Sequence, residues 1–177
     1  MATIGRGRVP QCDMDAGSAL SALDALHVAK VPTWLLGGWA IDALIGQHRR
    51  AHDDVDLLIV DDDIPAAQRA LAALDYAGFI HPPGSSYLVD PAGRQIDVHV
   101  IELRPDGSAA YRMEDGADWV YPAGVLTGRG TINGRDVPCL TAEMMMVEHT
   151  TGYELDETHL ADVRALAQAF GLEPRQG

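Results

Sequence analysis

The chain of 177 residues has few cysteines, few basic residues and no long apolar run, and each shortage argues against a class of protein. Cys12 and Cys139 are too few and too far apart for a disulfide framework or a zinc site. With 13 Lys and Arg against 26 Asp and Glu, the net charge of −13 argues against nucleic acid as a partner. The same acidity suits a cationic small substrate, although it also serves solubility. No stretch can span a bilayer or reads as a signal peptide, so we expect a cytoplasmic protein without a membrane partner.

The hydrophobic content of 47% is that of an ordinary globular protein with one domain, or with one domain and a small second lobe. Residues 1 to about 14 are expected to be irregular and disordered. Hydrophobic periodicity, capping residues and turn residues predict a mixed α/β domain followed by helices. The predicted helices cover about 15–30, 39–45, 66–76, 142–149 and 157–170. The predicted strands cover 33–36, 55–60, 86–89 and 95–102, with a hairpin at 130–132 and 136–138.

A glycine pair, Gly37-Gly38, lies between an apolar run and a helical segment, and two carboxylates follow at the start of a second apolar run. Asp54 and Asp56 are two residues apart, so on a strand both side chains point to one face and repel each other. A divalent cation removes that repulsion, and hard oxygen ligands suit magnesium. Glycines beside a helix start leave backbone amides open to phosphate oxygens. This pattern is typical of phosphoryl or nucleotidyl transfer.

Asp97 is the best candidate for a third carboxylate, because it is a charged residue within an apolar strand that we expect to pair beside Asp54 and Asp56. If its face meets the metals, it could bridge one ion and take the proton from an attacking hydroxyl. A surface position on an alternating strand fits its periodicity nearly as well.

Other residues near these carboxylates have two interpretations each. Arg50 and His52 could hold a triphosphate or simply face solvent. His99 shares the predicted face of Asp97 and could support the site, or be an ordinary hydrogen-bonded strand residue. Asp42 is expected to orient a loop by hydrogen bonding.

These motifs together resemble the nucleotidyltransferase domain of small antibiotic-modifying enzymes in the DNA polymerase beta superfamily. Two branches are similar, the aminoglycoside 2″-nucleotidyltransferases and the small lincosamide nucleotidyltransferases. The resemblance covers roughly residues 18–170, and it favours the lincosamide branch in the later segments, at 96–99, 106–108, 137–143 and 151–155, with Asp162. It implies an α+β fold with a polymerase beta-like mixed sheet flanked by helices. A nucleotidyltransferase domain at 15–140 and a small C-terminal helical segment at 141–172 are expected.

By the same resemblance, Asp54 and Asp56 are ligands of two Mg²⁺ ions, and Asp97 is a ligand or the general base. The ATP site is lined by Gly37 and Gly38, with Arg50 and His52 beside it. The implied reaction transfers AMP from ATP to a hydroxyl of a small cationic antibiotic and releases pyrophosphate, with a lincosamide favoured over an aminoglycoside.

The resemblance leaves the acceptor site and the assembly less defined. Tyr153, Glu154 and Glu157 are candidates for an acidic wall around the acceptor, no role is assigned to His149, and such enzymes often form homodimers. The alternatives are transfer to a protein, a tRNA or a biosynthetic metabolite, or a non-catalytic descendant that only binds nucleotide or a drug.

Overall fold

The computed structural model describes residues 12–81, 84–113, 115–151 and 156–173. This part of the chain forms eight strands and five α-helices. The helices are α1 (Ala16–Val28), α2 (Gly37–Ile45), α3 (Ile64–Ala72), α4 (Ala142–Thr150) and α5 (Glu157–Phe170). The strands are β1 (Thr33–Leu36), β2 (Asp54–Val60), β3 (Ser85–Val89), β4 (Gln95–Leu103), β5 (Ala109–Arg112), β6 (Asp118–Tyr121), β7 (Gly128–Ile132) and β8 (Arg135–Cys139).

All eight strands belong to one mixed sheet in the order β6-β5-β4-β2-β1-β8-β7, with β3 paired to β4. Strand β2 is central, as its apolar run predicts, and it lies antiparallel to β1 and parallel to β4. The other edge of β4 pairs with β3 along its first half and with β5 along its second half. The expected α+β class, a mixed sheet flanked by helices, is confirmed.

Side-chain caps begin three of the helices, because the first backbone N–H groups of a helix have no partner within it. The cap oxygens of Asp15, Thr141 and Asp156 accept hydrogen bonds from the backbone N–H three residues later. Helices α2 and α5 end at glycines in the left-handed region, Gly46 and Gly171, as their sequences predict.

Helix α2 lies at the centre of the functional half of the molecule. It contacts β1, β2, β7 and β8 of the sheet and both C-terminal helices, α4 and α5. Residues 37–45 are almost entirely apolar, and the buried Ala40 and Ile41 explain how this short helix can pack on several neighbours. The turn at its start is therefore enclosed between the sheet and the C-terminal helices.

The structure differs from the sequence predictions at several places. Helix α2 begins at Gly37, two residues before the predicted start, so the glycine pair is its first turn. Helix α3 ends at Ala72, and Tyr76 lies beyond it, buried, after a turn with Asp75 at a positive φ of 64°. Strands β5 and β6 were not predicted, because four-residue strands give little alternation to detect. Met14, expected to be disordered, is buried, and its N–H donates to the carbonyl of His52 at 2.7 Å.

Residues 1–11, the rest of that N-terminal segment, lie outside the described residues. The division of the chain near residue 140 stays a prediction. Within the described ranges, none of the helices combines the length and the apolar character needed to cross a membrane.

Candidate active site

The three predicted carboxylates lie on neighbouring strands. Asp54 and Asp56 alternate with the buried Val55 on β2, so their side chains project to the same face of the sheet. On β4, Asp97 is the register partner of Asp56, and register partners share a face. The predicted pairing of these two strands is therefore confirmed, and the three carboxylates lie on one face.

The electrostatics of this cluster favour a cation. Burial, and then the charges of Asp56 and Asp97, raise the pKa of Asp54 from 3.8 to about 7. Burial also raises the pKa of Asp97, together with the charge of Asp56, although a hydrogen bond of 2.6 Å from Gln95 Nε2 opposes the rise. Asp54 and Asp97, whose pKa values are raised, lie beside Asp56 on one face, and three carboxylates so placed are a donor set that fits a hard divalent ion such as Mg²⁺.

The glycine pair is required by close contacts with this cluster and its neighbours. Gly37 has a φ of 65°, and a Cβ atom there would lie 2.1 Å from Asp56 Oδ2. A Cβ atom at Gly38 would lie 2.4 Å from Arg50 Nη2 and 2.7 Å from His52 Nδ1. All three contacts are far inside van der Waals distance, so neither position accepts a side chain without a shift of its neighbours.

A buried hydrogen-bond network fixes the loop between α2 and β2. Asp42 accepts hydrogen bonds from the Arg49 backbone N–H at 3.0 Å, from Arg49 Nε at 2.8 Å and from His52 Nε2 at 2.8 Å. Burial opposes ionisation of Asp42, but the bonds from His52 and Arg49 lower its pKa. The expectation that Asp42 orients a loop is confirmed. His52 is only 3% exposed, so the solvent-facing interpretation of this residue was wrong.

Asp162 on α5 ties the same loop to the C-terminal helices. It pairs with Arg49 Nη2, and its second oxygen lies 3.1 Å from Arg50 Nη2. Asp162 is 1% exposed, beside the buried Val163. Sequence reasoning missed these roles of Arg49 and Asp162, although an acidic residue at a buried helical position is a detectable signal.

Asp42, His48 and His52 also form a group whose ligand atoms lie within 4.8 Å of one another. The Arg49 guanidinium already forms an ion pair with Asp42, and the His48 ring stacks on Trp39 at 5.1 Å between centroids. This arrangement stabilises the loop, and the β2–β4 carboxylates have the better chemistry for a divalent cation.

A cleft of about 600 Å³ opens over the carboxylates. Its lining includes both glycines and a set of polar residues from the loop, the strands and the C-terminal helices: Asp54, Asp56, Arg50, His52, His99, Glu148, His149 and Asp162. Asp97 lies beside this cleft, next to Asp56 in the sheet, and is not on its wall. The structure thus brings all the predicted site residues except Asp97 around one cavity, and Asp97 lies beside it.

His99 of β4 and two residues of α4, Glu148 and His149, also line the cleft. His99 Nε2 lies 3.2 Å from Asp56 Oδ1, and although burial lowers its pKa, this bond and the charges of Asp56 and Asp97 raise it overall. Burial lowers the pKa of His149 and raises that of Glu148. Sequence reasoning gave Glu148 no role.

The predicted acidic wall for the acceptor is tested only at one position. Glu157 is exposed in the first turn of α5 and is not on the cleft wall. Tyr153 and Glu154 lie outside the described residues.

Comparison with known proteins identifies relatives with this architecture. The sequence profile of the aminoglycoside-2″-adenylyltransferase family matches residues 19–166. A lincosamide resistance protein of Staphylococcus haemolyticus is 30% identical over 148 residues, which are 81% of this chain and 89% of that protein. A 2″-aminoglycoside nucleotidyltransferase of Escherichia coli is 29% identical over 168 residues, with 85% of each chain covered.

Solved structures show the same fold. A lincosamide antibiotic adenylyltransferase with lincomycin bound has a TM-score of 0.78 at 26% identity, covering 89% of this chain and 99% of that one. ANT(2″)-Ia in complex with adenylyl-2″-tobramycin has a TM-score of 0.64 at 20% identity, covering 88% and 89%, and this likeness concerns the fold alone. The resemblance stated from the sequence motifs is confirmed: the chain belongs to the aminoglycoside-2″-adenylyltransferase family and is a nucleotidyltransferase.

Proposed function

We propose that the protein transfers AMP from ATP to a hydroxyl of a small cationic antibiotic, in a magnesium-dependent reaction that releases pyrophosphate. The observation that carries this proposal is the cluster of Asp54, Asp56 and Asp97 on one face of the sheet, beside the glycine turn at the start of α2. A cation site next to exposed backbone amides is what a nucleoside triphosphate requires.

Asp54 and Asp56 would hold Mg²⁺ ions, with Asp97 as a further ligand. The raised pKa of Asp54 supports this assignment, because a bound cation offsets both the burial of the charge and the repulsion from Asp56 and Asp97 that cause the rise. When bound, Mg²⁺ would neutralise charge on the phosphates and on the leaving pyrophosphate.

The chain's own groups would then bind the donor and handle the proton. The amides of Gly37 and Gly38 and the positive end of α2 would bind phosphate oxygens, with Arg50 and His52 beside them. The acceptor oxygen would form a bond to the α-phosphorus as the bond from that phosphorus to the pyrophosphate oxygen breaks. Asp97 would accept the hydroxyl proton, and burial, which raises its pKa, makes it a stronger base than an exposed carboxylate.

We infer that the acceptor is a lincosamide rather than an aminoglycoside. The lincosamide adenylyltransferase structure supports this choice, with a TM-score of 0.78 against 0.64 for the aminoglycoside enzyme. Over 81% of this chain, the lincosamide resistance protein of Staphylococcus haemolyticus is 30% identical to it.

The experiment incubates the protein with ATP, MgCl₂ and a panel of lincosamides and aminoglycosides, and mass spectrometry searches for a drug heavier by one AMP. We expect an adenylylated lincosamide and free pyrophosphate, with no product in EDTA. Asp97→Asn should lose at least 100-fold in kcat. Adenylylation of neither drug class would refute the antibiotic assignment, and an Asp97→Asn enzyme with full turnover would refute the base.

A further inference from the structure

A row of side chains crosses the sheet from the carboxylates to its edge. Ile101 of β4 pairs with Tyr111 of β5, and Tyr111 pairs with Trp119 of the edge strand β6. Because register partners share a face and Ile101 shares one with Asp97 and His99, Trp119 lies on the carboxylate face. His99 and Tyr111 touch edge to face with centroids 5.4 Å apart. The row therefore links the catalytic centre to β6.

Glu148 of α4 lies over this row, in the wall of the cleft. The Tyr121 hydroxyl donates a hydrogen bond to its carboxylate, and the Trp119 side chain lies against it. Burial raises the pKa of Glu148, and these neighbours and His99 oppose the rise. Within the described residues, Glu148 Oε1 is buried without a hydrogen-bond partner. A buried carboxylate oxygen in that state is costly unless a ligand supplies a donor.

A groove of about 540 Å³ lies on the other side of Trp119, around the edge strand. Its walls are largely apolar, formed by Trp119, Val120, Pro122, Val125, Met144 and Val147. Trp119 touches both the groove and Glu148, and Val147 of the groove immediately precedes Glu148 of the cleft. The groove and the cleft are therefore neighbours that share this stretch of wall.

We propose that this groove and Glu148 form an acceptor subsite for an amine that carries an apolar substituent, with the ammonium on Glu148 and the substituent in the groove. The inference rests on the proposed transfer of AMP and names the chemistry of the acceptor. It distinguishes an amphiphilic amine such as lincomycin, which has one basic nitrogen and an alkyl chain, from tobramycin, which has several ammonium groups and no alkyl chain.

The charges around the groove favour a cationic small molecule over a second copy of this chain. Glu143 and Glu173 are exposed on its rim, Asp118 is neutralised by Arg104 and Arg112, and none of the described lining residues is basic. A second copy would bring a net charge of −13 toward this acidic rim, which opposes association.

The first experiment measures binding of simple probes to the full chain without ATP, by ligand-observed NMR and calorimetry. Hexylamine combines an ammonium with an apolar tail, ethylamine lacks the tail, and hexanol lacks the charge. We expect hexylamine to bind most tightly, with a gain of about threefold to fourfold per buried methylene over ethylamine. Equal binding of hexylamine and ethylamine would overturn the apolar half of the subsite, and equal binding of hexylamine and hexanol would overturn the charged half.

The second experiment compares two variants in steady-state transfer to lincomycin. Glu148→Gln keeps the shape and removes the charge, and we expect KM for lincomycin to rise about tenfold or more while KM for ATP is unchanged. Val120→Trp fills the groove from a position that is 45% exposed, and it should also raise KM for lincomycin and abolish the preference for hexylamine. The matched controls are Glu102→Gln and Val28→Trp, at exposed positions outside both cavities, and they should behave as the wild type.

The outcomes separate this inference from the proposed function. A wild-type protein that adenylylates neither drug class refutes the proposed function, whereas the probe-binding result still tests the subsite. A wild-type protein that adenylylates lincomycin with KM unaffected by Glu148→Gln and Val120→Trp overturns the subsite alone. Failure of hexylamine to bind, together with a dimer that Val120→Trp converts to monomer in sedimentation, would make the groove an interface between copies and would also overturn it.

Discussion

Replacement of Asp54 by asparagine tests whether the carboxylate cluster destabilises the metal-free protein and whether a bound cation removes that destabilisation. The pKa of Asp54 rises from 3.8 to about 7 on folding, mainly through burial and then through Asp56 and Asp97. Well below pH 3.8 the Asp54 carboxyl is protonated in both the folded and the unfolded chain, so it does not reduce the free energy of unfolding. As the pH rises from about 4 to about 7, Asp54 ionises in the unfolded chain but largely keeps its proton in the folded chain. The free energy of unfolding of the metal-free protein therefore falls.

The size of this effect follows from the shift. About three pH units at 1.36 kcal/mol each set a ceiling of about 4 kcal/mol above pH 7. Asp54 is partly exposed, so we expect about half of that, or about 2 kcal/mol. Asp54→Asn removes the ionisation, and at 2–4 °C per kcal/mol its Tm in EDTA should exceed that of the wild type by about 4–8 °C at pH 8.

The assay is thermal unfolding by circular dichroism in EDTA at pH 4 and pH 8, and again with MgCl₂. At pH 4 the two proteins should unfold within about 2 °C of each other. At pH 8, MgCl₂ should raise the Tm of the wild type more than that of Asp54→Asn, because the cation offsets the same repulsion. Asp61→Asn, at an exposed position just after β2, is the matched control and should leave both temperatures unchanged. A metal-free Asp54→Asn protein no more stable than the wild type at pH 8 would refute the reasoning.

Three other predictions concern individual residues, Gly38, Asp162 and the two cysteines. Gly38→Ala would place a Cβ atom 2.4 Å from Arg50 Nη2, so KM for ATP should rise at least tenfold, and an unchanged KM would show that Arg50 moves freely. Asp162→Asn leaves two arginines without their buried partner and should cost about 3–5 kcal/mol of unfolding free energy in urea titrations, whereas a loss below 1 kcal/mol would contradict the buried-pair argument. Cys12 is exposed and Cys139 is buried with a pKa raised to about 12, so a thiol reagent should modify one thiol in the native protein at pH 8 and two after unfolding.

The donor half of the site could be predicted from the sequence because its determinants are local. The glycine pair and the two carboxylates of β2 lie within 20 residues, and few other structures require these residue types at this spacing. Asp97 was harder to identify, since its periodicity also fitted a surface strand, and only its pairing with β2 places it beside Asp56. Arg49 was missed because its function depends on Asp162, more than a hundred residues away.

The proposed acceptor subsite, the groove with Glu148, could not be predicted from the sequence, because its determinants are not local. Tyr111, Trp119 and Tyr121 lie on two four-residue strands with too little alternation to detect, and Glu148 shows its setting only once α4 packs over them. A phosphate and a metal demand fixed backbone geometry and fixed donor atoms, so their site constrains the residue types in the chain. An amine with an apolar substituent demands only one carboxylate and any large enough apolar wall, which many sequences can supply. A sequence of this kind therefore predicts the reaction well before it predicts the acceptor, and the residues that choose the acceptor are best sought between the carboxylates and the edge of the sheet.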